Sequence, residues 1–112
     1  MNINNEGIYF VKSSGIFIPI AINKVKWIKA KGNNCTLYVS KDEIYIIRSS
    51  LASILVTLSQ NVNFFVRCHR NLLINCNYIE SYDPAGIVTI AGEQFSVSKT
   101  YKKTLESKLK FL

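Results

Sequence analysis

At 112 residues the chain is long enough for one domain with its own core and too short for two of ordinary size. Hydrophobic residues make up 48% and charged residues 19%, which excludes a disordered basic tail. Fourteen Lys and Arg against seven Asp and Glu leave a net charge of +7, a balance that favours polyanionic partners such as nucleic acid or an anionic membrane surface, with solubility alone as the bland reading.

From Gly7 the chain reads as short β-type runs broken by turn residues. Residues 8–11 and 16–18 flank Lys12-Ser13-Ser14-Gly15, whose glycine tolerates positive φ, and so predict a hairpin. Pro19 has no N–H for a ladder, so the second strand must end there or lie at an edge. Residues 22–30 alternate in part, with Ile28 and Ala30 on one side, Trp27 and Lys29 on the other, and the lysines facing water. Lys31-Gly32-Asn33-Asn34 predicts a reversal, and residues 36–39 and 44–47 predict strands joined by a turn over 40–43.

The period changes at Ser49-Ser50: Leu51, Ile54, Leu55 and Leu58 recur at helical spacing behind a serine able to accept a backbone N–H. Burying four aliphatic side chains contributes about 1.5–3 kcal/mol each before entropy, enough to seat such a helix on a sheet but not to stabilise it alone. Asn61-Val62-Asn63 ends it. Two rings, Phe64 and Phe65, then open a strand that exits into Arg67, His69, Arg70 and Asn71 before apolar residues resume. Such a placement suits a scaffold that presents cations and amide donors; the plainer alternative is two surface arginines and a satisfied histidine.

Residues 78–82 predict a strand, Asp83-Pro84-Ala85-Gly86 a type I turn, and residues 87–90 and 94–97 a hairpin about Ala91-Gly92. Ser98 is placed to cap a terminal helix, with Tyr101, Leu105, Leu109 and Leu112 on one face and Lys99, Lys102, Lys103, Lys108 and Lys110 over much of the remainder. Short connections and many β runs with two short helices predict one mainly β domain over residues 1–112, built from hairpins and small sheets.

The pieces, taken in order, resemble LytTR-type DNA-binding domains. Phe65-Val66-Arg67-Cys68-His69-Arg70-Asn71-Leu72-Leu73-Ile74-Asn75, followed by Ile79, is similar to the signature in which Phe, Arg, His, Arg and Ser lead through apolar residues to Asn. Upstream, residues 25–33 are similar to the family's strand and Gly-Asn turn, and Arg48-Ser49-Ser50-Leu51 to the start of its short helix; downstream, residues 95–101 are similar to its closing strand and basic tail. The resemblance covers roughly residues 16–109 and implies an elongated stack of small antiparallel sheets with two short helices, which places loops rather than a recognition helix in successive major grooves of duplex DNA. Such domains are commonly the output half of response regulators in two-component systems, so transcription regulation is implied. No receiver domain precedes the matching stretch, which leaves a stand-alone regulator and an excised piece as options. Asn71 replaces the usual Ser, Ile74 the usual Val, Asn34 a common aromatic, and Lys99 a common Arg. The last bears on recognition, because an ammonium cannot make the bidentate fork that Arg offers to guanine.

Arg70 and Lys99, with Asn33 and Asn34 of the loop that ends at Cys35, are the expected base contacts, since cationic and amide donors match the purine acceptors of the major groove. Arg67, His69, Asn71, Lys31, Lys102 and Lys103 are expected to meet phosphate or to shape the loops. For Arg67 an ion pair with Glu80 or Asp83 competes with phosphate. Double-stranded DNA is the expected partner, with dimeric or tandem occupancy of paired half-sites open and no membrane. No cofactor is expected. A catalytic reading would have to use Cys68 and His69, neighbours on a strand whose side chains point to opposite faces, so no enzyme is expected. Cys35, Cys68 and Cys76 are odd in number and lack short paired spacings, which argues against a disulfide framework and a metal site. The first residues carry no basic region leading into a long apolar run, and the expected compartment is the reducing cytoplasm. The competing function is a basic module that binds protein or anionic membrane without sequence-specific DNA binding.

Overall fold

In the computed structural model, which describes residues 7–112, the first two runs form β1 (Ile8–Ser13) and β2 (Ile16–Ala21), paired antiparallel about Ser14 and Gly15, both at positive φ. Pro19 lies inside β2 opposite Phe10; in a two-stranded sheet β2 is an edge, where a missing N–H breaks no second ladder. Residues 22–24 do not begin a strand. They form a 3-10 turn in which the Ile22 N–H donates to Gly7 O and the Val25 N–H to Ile22 O, so β3 (Trp27–Lys31) starts later than its alternation suggests.

Gly32, at φ +61°, reverses the chain into β4 (Asn34–Ser40), so Asn34 is not in the turn but opens β4 opposite Lys31. β5 (Glu43–Ile47) follows. Helix α1 (Leu51–Ser59) starts as its sequence predicts, with Ser50 Oγ accepting the Ser53 N–H at 3.1 Å. β6 (Phe65–His69) and β7 (Leu72–Asn75) then complete a five-stranded antiparallel sheet in the order β5-β4-β3-β7-β6. The register slips between Arg67 and His69, a bulge just before the turn at Arg70-Asn71.

Both faces of this sheet are buried. Ile28, Leu37, Leu73 and Phe65 pack with Val11 and Ile20 of the first hairpin and Leu51 and Leu58 of α1. On the opposite face Trp27, Val66, Leu72 and Ile74 meet a third layer made by β8 (Ser81–Asp83), β9 (Ile87–Ile90), β10 (Glu93–Ser96) and α2 (Lys99–Lys108), which contribute Val88, Ile90 and Leu105. The Trp27 side is therefore core, although Lys29 remains exposed: Trp27 stacks on Tyr38 at 3.9 Å and meets the Phe95 ring edge-on at 4.9 Å. Residues 76–78 form a second 3-10 turn, which shortens the strand expected over 78–82 to β8. Helix α2 ends at Lys108, and Leu112 is fully exposed instead of continuing the seam of Tyr101, Leu105 and Leu109. Over the described residues the result is an elongated stack, 42 × 31 × 26 Å, of three small antiparallel sheets with two helices.

One polar side chain lies at the centre. Asn75 is 0% exposed; its Nδ2 donates to Val25 O at 3.0 Å and its Oδ1 accepts the Asn77 N–H at 2.9 Å, so it ties the start of β3 to the end of β7 and caps the 3-10 turn.

Candidate nucleic-acid interface

Antiparallel pairing brings the β3–β4 turn and the β6–β7 turn to the same end of the central sheet, where the Ala30 N–H donates to Asn71 O at 2.8 Å. The junction between β10 and α2 joins them through a second backbone bond, from the Ser98 N–H to Cys68 O at 2.9 Å. Asn33, Asn34, Arg70 and Lys99 thus share one edge with Lys31 and Asn71, and all six are exposed. Lys103 is exposed one helical turn along α2 from Lys99.

Two of the expected contact residues are held inside the β6–β7 turn. Nδ1 of His69 accepts the Asn71 N–H at 3.2 Å, which requires that nitrogen to be unprotonated. Burial, and then the nearby Lys29 cation, lower the His69 pKa and favour that neutral ring. Arg67 Nη1 donates to Arg70 O at 3.2 Å while its guanidinium lies 5.7 Å from the centre of the Tyr101 ring. Among the described residues Arg67 forms no ion pair with Glu80 or Asp83; Glu80 accepts the Gly92 N–H and Asp83 the Ala85 N–H. Arg67 and His69 thus bond within the loop, while Arg70 is exposed.

On α2, Lys102 Nζ donates to Pro84 O at 2.8 Å, fastening the β8–β9 turn to the helix, while Lys108 Nζ donates to Asn63 O. Ser98 stands at the N-cap position with extended backbone, yet its side chain makes no cap bond, and its buried Oγ has no partner among the described residues. The apolar seam of α2 is covered by the domain, and no described helix is long and apolar enough to cross a membrane.

Cys35 and Cys68 are buried free thiols. Burial pushes the Cys68 thiol up to about 11, and its Sγ donates to Ser96 O at 3.4 Å, so it stays protonated at neutral pH while the His69 lone pair is occupied by Asn71. Cys35 Sγ donates to Ser49 O at 3.2 Å. Among the described residues no group of three His, Cys, Asp or Glu is placed to hold a metal ion.

Two residues take parts here that the sequence motifs do not assign them. Asn75, the amide that closes the signature, ties the end of β7 to the residues just before β3, at the end of the sheet opposite this edge. Arg48, exposed after β5, stands beside Asn33 in one groove with Ser49 and Ser50; its signal is a cation immediately before a helix cap.

No curated protein gives a significant match to this chain. A solved structure from Bacillus cereus, described as the LytTr DNA-binding domain of a response regulator, has the same fold, with a TM-score of 0.75 over 94% of this chain and 98% of that one at 24% identity. The LytTR family profile, that of the LytTr DNA-binding domain, matches residues 15–110, from the turn before β2 to just beyond α2, and on that match this chain belongs to the LytTr family of DNA-binding domains.

Proposed function

We propose that the chain binds duplex DNA sequence-specifically and thereby regulates transcription, with its edge loops entering successive major grooves. The observation that carries this reading is the pair of backbone bonds, Ala30 to Asn71 and Ser98 to Cys68, that aligns the Asn33-Asn34, Arg70 and Lys99 segments along one exposed edge. Arg70 can fork onto a guanine, Lys99 can offer only a point charge, and Asn33 and Asn34 can pair with purine acceptors. Asn71, Lys31 and Lys103 are the phosphate contacts, while Arg67, His69 and Lys102 fix the loops. The turn between β4 and β5 puts Asp42 and Glu43 at the opposite end of the sheet, which leaves this edge cationic. The domain acts as a regulatory output unit in the cytoplasm, as a dimer or as tandem copies on paired half-sites.

Selection of bound sequences from a random duplex pool at physiological salt tests this directly. Enrichment of a motif with a fixed half-site spacing is expected. A basic module without sequence preference would retain the pool unchanged, and that outcome refutes the proposal.

A further inference from the structure

The exposed cationic edge does not stop at the central sheet. The hairpin β1–β2 lies beside β5, and a groove of about 470 Å³ between them has an apolar part, Phe10, Val11, Ile46 and Ile47, and a polar part made by Lys12, Ser14 and Gly15 of the hairpin, Asn34 of β4, and Arg48 and Ser49 just after β5. A second groove, lined by Gly32, Asn33, Arg48, Ser49 and Ser50, links the first to the β3–β4 turn. Arg48 is common to both.

The chemistry of these walls is specific. Lys12 and Arg48 are exposed, and among the described residues neither has an ion-pair or hydrogen-bond partner; the Lys12 ammonium lies 5.9 Å from the centre of the Phe17 ring on its own hairpin. Ser14 adds a hydroxyl, while Ser49 Oγ already donates to Ser50 O and Ser50 Oγ caps α1; no carboxylate lines either groove. Beside the apolar part of the first groove, the two cations, a hydroxyl and the absence of an anion form a strip that suits a phosphodiester.

We infer that this double groove holds the phosphodiester backbone of duplex DNA flanking the bases met by Asn33 and Arg70, as a phosphate clamp built by Lys12 and Arg48. The inference rests on the DNA-binding reading and extends it to the first hairpin. Three to four gaps between strands separate β5 from the β6–β7 turn, so Arg48 lies roughly 15–20 Å across the edge from Arg70. A DNA turn is about 34 Å long. The clamp therefore meets a stretch of backbone that the Arg70 loop does not reach, and it adds affinity without sequence information.

The experiment measures affinity of the full chain for a duplex bearing its selected site, by fluorescence anisotropy from 50 to 200 mM salt. The chain is compared with Lys12→Ala/Arg48→Ala and with Arg70→Ala. The double variant is expected to keep its thermal transition and base preference but to lose nearly two units of the slope of log affinity against log salt, so that lowering the salt fourfold gains it about tenfold less affinity than the parent. A methylphosphonate scan of each strand should find flanking positions whose neutralisation weakens the parent and leaves the double variant unaffected. If the double variant keeps the parental slope while Arg70→Ala still weakens binding, the clamp is overturned and the DNA-binding reading stands. If the parent binds no duplex, both fall.

Discussion

Asn71 donates its backbone N–H to Nδ1 of His69 across 3.2 Å, so the imidazole is first a brace for the turn that presents Arg70. Burial and then Lys29 hold the His69 pKa below its ordinary 6.5. As pH falls, the unfolded chain therefore takes up this proton before the folded one does. The stabilisation is complete above pH 6.5 and is lost as pH drops from there through the folded value. An NMR titration of the ring should give a midpoint below 6.5, with the urea midpoint declining over the same window. A midpoint at or above 6.5 contradicts the brace.

Recognition is expected to divide between Arg70 and Lys99. Arg70→Ala should lose about 1–3 kcal/mol of discrimination at one base pair. Lys99→Arg should change the preference at a different position, because a guanidinium fork replaces a point charge. Both effects are read by repeating the duplex selection with each variant. An unchanged motif with Lys99→Arg would remove Lys99 from the base edge.

Asn75 contributes to the stability of the domain from the end of the sheet opposite the exposed edge. Asn75→Ala leaves the buried Val25 O without its donor and the Asn77 N–H without its cap, and should cost about 1–3 kcal/mol in urea unfolding. The motif selected by the folded fraction should not change. A loss below a few tenths of a kcal/mol would show that water replaces the amide.

Ser98 should behave unlike an ordinary N-cap. Replacing a serine that caps a helix costs about 0.5–2 kcal/mol. Here the hydroxyl makes no cap bond and is buried without a partner among the described residues, so Ser98→Ala should leave stability unchanged or raise it. A lower thermal midpoint would mean that the hydroxyl caps α2 in solution.

The turns and the α1 cap are legible in the sequence because glycine, proline and serine act locally: Gly32, the Asp83-Pro84-Ala85-Gly86 turn, whose Gly86 N–H donates to Asp83 O at 2.7 Å, and Ser50 all act within a few residues. The resemblance carries the fold and the exposed set of Asn33, Arg70 and Lys99. What is not legible depends on a third layer. Nothing near Trp27 announces that Phe95 and Tyr38 will enclose it. Arg67 turns inward because Tyr101, thirty-four positions later in the chain, lies beneath it, and no local rule predicts that pairing. Arg48 is passed over as a helix approach because its groove partner, Lys12, comes from the opposite end of the chain's β run.

The bond from the Ser98 N–H to Cys68 O has a consequence for how such a domain changes its target. It fixes the distance between the Arg70 turn and Lys99 through main-chain atoms alone, and the Ala30 N–H does the same between Asn71 and the β3–β4 turn. On the proposed reading, exchanging the side chains at these positions alters which letters are read but leaves their spacing along the duplex in place. New operators would then be reached by substitution, one position at a time, on an unchanged ruler.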